Sequence, residues 1–312
     1  MSTYYRVPRE APLGFSTKLN QGIGAIPDTV KNWVFNTFIL LFYNQILGIE
    51  AFHISLVLAV AIVFDAVTDP LVASYSDNLQ SRWGRRHPLM MFASLPLGIG
   101  IFAIFVPPVE LSQAQLLGWL LMFVILTRGL MTLFFVPWAA IAAELSDDYH
   151  ERTSVMSYRY AVGWIIGVSF PFFIYSFVMT GSAEYPVGQL NPAGYPVMAL
   201  CAGLLLSLGA MATTLLTMKE IPFLRQHKTE TEFGFRGTVS ELFLALQNRQ
   251  FALIFVIMIM IGALAGVTAN INIYMTTFFW GLNTEDLRWF VLSASGAVLA
   301  FPLVAFIQRK WD

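Results

Sequence analysis

The sequence predicts an all-α membrane protein whose helices cross the bilayer many times. Hydrophobic residues make up 57% of the 312 residues and charged residues only 12%, whereas a soluble domain has about 25% charged residues. Apolar runs such as FALIFVIMIMIGALAG are continuous, while the strands of a membrane barrel alternate apolar and polar residues. Together these observations favour membrane-spanning helices and exclude a barrel.

Eight stretches have the composition of a spanning helix, which needs about 20 mostly apolar residues. They cover residues 22–48, 53–76, 88–107, 114–145, 153–180, 194–218, 250–280 and 286–308. The predicted organisation is a cytoplasmic N-terminal tail (1–21), a six-helix bundle (22–218), a cytoplasmic linker with an amphipathic helix (219–249) and the first two helices of a second bundle (250–312). Since such bundles occur in pairs, we expect eight of twelve helices here and a chain that continues past residue 312.

The positive charges predict the orientation. With the N-terminus in the cytoplasm, fourteen of the 18 Lys and Arg residues fall on the cytoplasmic side and only Arg288 falls on the other side. The remaining three lie within the spans: Lys31, Arg128 and Arg159. The positive-inside rule therefore predicts a multi-pass protein of the plasma membrane or bacterial inner membrane with a cytoplasmic N-terminus.

Two carboxylates in the second span are the strongest candidates for a functional site. Asp65 and Asp69 are four residues apart, so they share one helix face with Thr68 beside them. Charged groups inside a bilayer are costly and usually functional. Oxygen ligands suit a hard cation such as Na⁺, but two neighbouring carboxylates can also hold a proton. Pro70 frees backbone carbonyls that can add ligands. The alternative is that each Asp caps a broken helix or pairs with a nearby Arg.

The loop after the second span carries a second cluster. Its members, predicted to form a conformational gate, are Asp77, Arg82, Gly84, Arg85 and Arg86. We expect cytoplasmic ion pairs that hold two halves of the protein together and break in another state. The alternative is simple positive charge on the cytoplasmic side.

Several runs resemble the glycoside–pentoside–hexuronide:cation symporter family (melibiose permease-like), a branch of the major facilitator superfamily. The longest is FDAVTDPLVASYSDNLQSRWGRRHPLM; further matches are QGIGAIPDTVKNW, LFYNQILG and ERTSVMSYR. The resemblance covers nearly all of residues 20–312. It implies a major facilitator-type helical bundle and a coupling ion, Na⁺ or H⁺, without another cofactor.

The resemblance also implies roles for single residues. Asp65, Asp69 and Thr132 match the cation site, which takes Na⁺ in sodium-coupled members, and Thr68 stands where the family's melibiose permease has an asparagine ligand. Asp28 matches a carboxylate that binds sugar hydroxyls. Phe135 replaces a second sugar-binding aspartate; its ring can stack on a sugar but cannot accept a hydrogen bond.

Four further residues are candidates for the solute site. Arg128 is a substrate ligand or carboxylate partner, or else forms a structural ion pair with Asp28, Asp65 or Asp69. Arg159 matches an arginine at the family's substrate cavity, although snorkelling to the membrane surface also explains it. Asn36 and Trp164 are cavity or packing residues, and for Lys31 we expect a local salt bridge with Asp28.

These observations predict a cation-coupled secondary active symporter, for a sugar or glycoside, that works by alternating access. Its expected partners are a small solute, a monovalent cation and the lipid bilayer, with no nucleic acid. The alternative is a transporter of lysolipids or other amphiphiles, which Phe135 favours; a receptor or assembly subunit ranks last. No H-E-x-x-H, G-x-S-x-G or phosphate-binding glycine loop occurs, so we expect no enzyme.

Overall fold

All regular structure is helical in the part of the chain that the computed structural model describes, residues 9, 11–224 and 247–293. The α-helices there are α1 (Phe15–Ile23), α2 (Ala25–Val34), α3 (Ala51–Asn78), α4 (His87–Phe105), α5 (Gln113–Glu144), α6 (Tyr149–Phe173), α7 (Gly194–Thr217), α8 (Arg249–Tyr274) and α9 (Thr284–Ser293). Turns of π-helix cover Phe35–Ile39, Phe42–Ile46, Ile174–Val178 and Met275–Phe279, and 3₁₀ turns cover Gly188–Leu190 and Met218–Phe223.

Six described segments are long and apolar enough to cross a bilayer. They are Ala51–Asn78, His87–Phe105, Gln113–Glu144, Tyr149–Val178, Gly194–Phe223 and Arg249–Phe279. They correspond to the second to seventh predicted stretches, and the prediction of an all-α polytopic membrane protein is confirmed. The last predicted stretch is described only as far as Ser293, and most of the amphipathic part of the linker lies outside the described residues.

The first predicted span is a chain of short helices rather than one long helix. It begins at Phe15 instead of residue 22 and continues through α2 and two π-helical segments. Hydropathy misses its first turns because they are polar, yet Thr17, Asn20 and Gln21 are buried against the bundle. A helix that packs its polar face inside the protein gives no apolar signal.

The break at Gly24 lets the first helix pass close to α5. A Cβ atom on Gly24 would lie 2.0 Å from Nε1 of Trp138, so only glycine fits. Gln21 Nε2 donates to the Trp138 carbonyl at 2.8 Å, and Trp138 Nε1 donates to the Gln21 carbonyl at 2.9 Å. This reciprocal pair fixes the first helix against the C-terminal part of α5.

A similar close approach joins α4 and α7. A Cβ atom on Gly98 would lie 2.4 Å from the Gly203 carbonyl oxygen, and one on Gly203 would lie 2.7 Å from that of Gly98. Ser207 Oγ accepts a hydrogen bond from the Gly98 amide at 3.1 Å. Small residues that bring two backbones together are the usual way in which membrane helices associate.

Helix α3 packs on one side against α5 and presents an apolar face on the other side. Large exposed side chains of this face are Phe52, Leu56, Val60, Val63 and Leu71. Outward apolar side chains are expected where lipid, rather than water, surrounds a helix. The packed side of α3 carries Asp65 and faces α5.

The end of the bundle away from the basic loops is held by neutral hydrogen bonds. Gln189 is fully buried and its Nε2 donates to Thr277 Oγ1 at 3.0 Å and to the Leu282 carbonyl at 2.9 Å. Tyr274 donates to Asn44 Oδ1 at 3.3 Å. These contacts, called the neutral end below, join the first six-helix region to the helical segment that begins with α8.

Candidate functional site

Two side-chain pairs connect α3 and α5 in the middle of their spans. Asp65 Oδ2 forms a salt bridge with Arg128 Nη1, and Thr132 donates to Asp69 Oδ1 at 2.7 Å. Both pairs have a sequence separation of 63 residues, so the two helices run parallel and in register. We call these two pairs the α3–α5 ladder.

The ladder leaves oxygen atoms available. Asp65 Oδ1 is buried and has no hydrogen-bond partner among the described residues, and Asp65 as a side chain is 26% exposed. Thr68 donates its hydroxyl proton to the Phe64 carbonyl at 3.0 Å, which leaves lone pairs on its oxygen. The carbonyl of Ala66, one turn before Pro70, also loses its helical donor because proline has no N–H. Carboxylate, hydroxyl and carbonyl oxygens are the ligands that a hard monovalent cation requires.

The structure distinguishes between the two alternative explanations of the carboxylates. Helix α3 is continuous from Ala51 to Asn78 through Pro70, so neither Asp65 nor Asp69 caps a broken helix. The ion-pair alternative applies to Asp65, whose partner is Arg128. Asp69 has a neutral partner, Thr132, which the resemblance had placed in the same site.

The other two cations inside the spans have different surroundings. Lys31 Nζ lies 3.7 Å from Asp28 Oδ1, which confirms the expected local salt bridge. The Arg159 guanidinium lies 3.6 Å from the centre of the Trp138 ring and Nη1 contacts Met156 Sδ at 3.5 Å. This cation–π contact places Arg159 inward against α5, not snorkelling towards the membrane surface.

A cavity of about 740 Å³ lies between α2, α5 and α6. Four predicted solute residues line it: Asp28, Phe135, Arg159 and Trp164. The remaining lining residues are Ala25, Thr29, Trp138, Met156, Tyr160, Gly163, Gly167 and Val168. Asn36, also predicted for this site, is exposed and does not line the cavity. One carboxylate and one guanidinium on a mainly aromatic and aliphatic wall give the site both polar and apolar binding capacity.

Trp138 is a wall residue that was not predicted from the sequence. It lies one helical turn after Phe135 with its ring 5.5 Å from that of Phe135. The spacing of three residues on α5 could have indicated that both rings share one face. Trp138 also contacts both Arg159 and Gln21 of the first helix, so it links the cavity wall with that helix.

The gate residues lie in an ion-pair network at the basic end. Arg86 Nη2 lies 3.1 Å from Asp77 Oδ1 and 2.6 Å from Glu144 Oε1, and Arg85 also pairs with both carboxylates. Burial lowers the pKa of the Arg86 guanidinium, and the charge of Glu144 opposes this shift. Glu144 was not among the predicted residues, although it is an isolated acidic residue at the end of an apolar helix.

Two details of the gate differ from the expectation. Arg82 lies 5.1 Å from the ring of its neighbour Trp83 and is in none of the ion pairs that its loop forms with described residues. The pairs of Arg85 and Arg86 also lie within the first six-helix region, so in the described part of the chain they tie this region together rather than joining two halves. Gly84 has φ +74°, and a Cβ atom there would lie 3.2 Å from Ile221 Cγ2.

The family model described as MFS/sugar transport protein matches residues 20–311. An uncharacterised symporter of Synechocystis sp. is 29% identical over 200 residues, which cover 62% of this chain and 36% of the relative. The sodium-dependent lysophosphatidylcholine symporter 1 of Gallus gallus is 28% identical over 56% of this chain and 33% of its own length. A putative glycoside/cation symporter of Escherichia coli (strain K12) is 28% identical over 47% of this chain and 32% of its length.

The chain thus spans about a third of the length of these relatives. The family match nevertheless covers nearly all of the chain, and its helices have the length and composition of membrane spans. The predicted family resemblance is confirmed, and this integral, multi-pass membrane protein belongs to the MFS/sugar transport family.

Proposed function

We propose that the protein is a cation-coupled secondary active symporter. The observation that carries this proposal is the α3–α5 ladder, which holds two carboxylates in register at mid-span. Its Asp65 Oδ1 is buried and has no partner in the part of the chain that the structure describes. A buried acceptor without a partner is costly. A bound cation would satisfy it.

The proposed ion site consists of Asp65, Asp69, Thr68 and Thr132. Their oxygen atoms provide charge and lone pairs from two helices, so an ion bound there would tie α3 to α5. The coupling ion is Na⁺ or H⁺, since the same carboxylates can coordinate the first or bind the second.

The proposed solute is a sugar or glycoside bound in the cavity. Asp28 Oδ1 accepts a hydrogen bond from Asn32 at 3.0 Å. The second oxygen of the Asp28 carboxylate can accept a hydrogen bond from a sugar hydroxyl. Arg159 supplies donors, while Trp164 and Phe135 supply faces for the apolar side of a pyranose ring. Arg128, also predicted as a solute ligand, pairs with Asp65 in the α3–α5 ladder and does not line this cavity.

Coupling follows from the shared helices. Helix α5 carries Thr132 of the ion site and Phe135 of the cavity one turn apart. An ion that orders this part of α5 raises solute affinity, and by thermodynamic reciprocity the solute raises ion affinity by the same factor. Two helical bundles that rock around the midplane would then expose the site to each side in turn.

The ion site is tested with the full natural chain in proteoliposomes. We expect Asp69→Asn and Asp65→Asn each to abolish the stimulation of solute uptake by a Na⁺ or H⁺ gradient. Glu110→Gln, which changes an exposed loop carboxylate, is the matched control and should keep full stimulation. Unchanged coupling in both aspartate variants would refute the proposed ion site.

A lysolipid is the second candidate solute. Phe135, Met156, Trp164 and Val168 make much of the cavity wall apolar, and the lysophosphatidylcholine symporters are relatives of this chain. Heat protection of the purified protein by glycosides or by lysophosphatidylcholine distinguishes the two. Phe135→Asp should strengthen protection by a glycoside if the solute is a sugar and abolish protection by lysolipid if the solute is an amphiphile.

A further inference from the structure

We propose that Arg128 is a tethered cation that competes with the coupling ion for Asp65. In the ion-free protein the guanidinium occupies this carboxylate, and binding of the ion requires it to leave. The inference rests on the proposed function, because it concerns the regulation of the same ion site.

The contact between Arg128 and Asp65 is incomplete. Arg128 reaches Asp65 Oδ2 through Nη1, while Arg128 Nε and Asp65 Oδ1 are both buried without a partner among the described residues. A structural arginine–carboxylate pair typically forms two parallel hydrogen bonds. Here one donor and one acceptor of the same pair are unused, which weakens the pair relative to that geometry.

The charges around the ladder also indicate a competition. Arg128 compensates Asp65, Lys31 is paired with Asp28, and the partner of Asp69 among the described side chains is the neutral hydroxyl of Thr132. The ladder therefore has one uncompensated negative charge, which matches one monovalent ion. An ion that uses both carboxylates must share Asp65 with the guanidinium, and two cations on one carboxylate repel each other.

The two α5 side chains of the ladder, Arg128 and Thr132, should consequently have opposite effects on the affinity for the ion. The Thr132 hydroxyl can donate to Asp69 and still offer a lone pair to a cation, because a hydroxyl is both donor and acceptor. A guanidinium has no acceptor and can only compete. Removal of the hydroxyl should weaken ion binding, and removal of the guanidinium should strengthen it.

The test is a titration with NaCl of the thermal unfolding midpoint of the full natural chain in detergent, without solute and with choline chloride keeping ionic strength constant. We expect Arg128→Gln to lower the half-saturating Na⁺ concentration by roughly tenfold, within the range of about 5- to 150-fold that is usual for coupled sites. Arg128→Lys, which keeps the charge, should stay close to the wild-type value. Thr132→Val should raise that concentration.

The matched control is Arg152→Gln, which removes one positive charge from an exposed site at the basic end and should leave the Na⁺ titration unchanged. A half-saturating concentration that is unchanged or raised in Arg128→Gln, while the wild type responds to Na⁺, overturns the inference alone. If neither protein responds to Na⁺, sodium coupling and the inference both fail. If only Arg128→Gln responds, Arg128 excludes the ion completely and the inference holds in its strongest form.

A spectroscopic measurement covers the case in which Arg128→Gln does not fold. Infrared difference spectra of the wild type with isotope-labelled arginine should show a guanidinium band that shifts when Na⁺ is added. Arg128→Lys should lack this shift. A wild-type spectrum without any change in the arginine bands on Na⁺ addition overturns the inference.

Discussion

The two ends of the helical bundle are held by different chemistry. At the basic end, Arg85 and Arg86 share Glu144 and Asp77, and Glu220 accepts from Arg9 at 2.5 Å and from Thr17 at 2.7 Å. At the neutral end, Gln189 binds Thr277 and the Leu282 carbonyl without any charge.

The difference concerns what each end joins. The charged network connects helices of the first six-helix region, whereas the neutral hydrogen bonds connect this region with the segment after α8. Ionic partners buried together are costly to separate, while neutral hydrogen bonds can be exchanged for bonds to water at a small net cost. The charged network is therefore suited to holding the first six-helix region together as a rigid body. The neutral hydrogen bonds are suited to an interface that opens between this region and the segment that begins with α8.

The largest effect is expected from Glu144→Gln. The side chains of Arg85 and Arg86 are 14% and 7% exposed, so both lose their main counter-ion while remaining largely buried. Removing one partner of a buried pair costs about 3–5 kcal/mol. The thermal unfolding midpoint in detergent should fall steeply, with Glu110→Gln unaffected. A decrease in the unfolding midpoint of Glu144→Gln as small as that of Glu110→Gln would show that the ion pairs at the basic end do not stabilise the bundle.

A smaller loss is expected from Glu220→Gln. Glu220 is 3% exposed and holds both Arg9 and Thr17, and a hydrogen bond to a charged group contributes about 1.5–3 kcal/mol. Limited proteolysis should then cut near Arg9 faster than in the wild type. Equal cleavage rates in Glu220→Gln and in the exposed variant Glu184→Gln would contradict this role.

Gln189→Leu tests the neutral end. The Leu282 carbonyl and the Thr277 hydroxyl lose their donor, and an unsatisfied buried group costs about 1–3 kcal/mol. We expect faster hydrogen exchange in residues 275–283 but little change within α4 and α5. Gln113→Leu, at an exposed position, is the control. Faster exchange throughout the bundle would remove the distinction between the two ends.

Asp77→Asn should have the smallest effect. Asp77 is 49% exposed, and exposed ion pairs contribute only about 0–1 kcal/mol. Its effect on the unfolding midpoint should disappear at high salt, because salt screens exposed charges, whereas the effect of Glu144→Gln should largely persist. Equal salt dependence of the two variants would show that burial does not separate their roles.

Local pattern predicted much of the fold. The predicted stretch 88–107 corresponds to His87–Phe105, and 114–145 corresponds to Gln113–Glu144. The length of an apolar run can be counted from the sequence, and it determines whether a helix can cross the bilayer. The early start at Phe15 could not be predicted in this way, since the polar residues of α1 are buried only by tertiary packing.

The candidate site was predicted in part. The spacing of Asp65 and Asp69 placed both on one face of α3, but spacing could not select the partner of Arg128 among three carboxylates. That choice depends on the register between α3 and α5. Glu144 was missed for the same reason, because its partner Arg86 lies on another segment, whereas the position of Trp138 three residues after Phe135 was a local signal for the cavity wall.

The fixed separation of 63 residues in the ladder has a mechanical consequence. If α3 slid along α5 by one helical turn, about 5.4 Å, Asp69 would face Arg128 and Asp65 would face Val124, which is fully buried and apolar. A carboxylate stranded against a valine in the membrane interior opposes this shear. While both pairs are formed, the ladder thus opposes sliding between these two helices, whereas movement between whole groups of helices leaves its register unchanged.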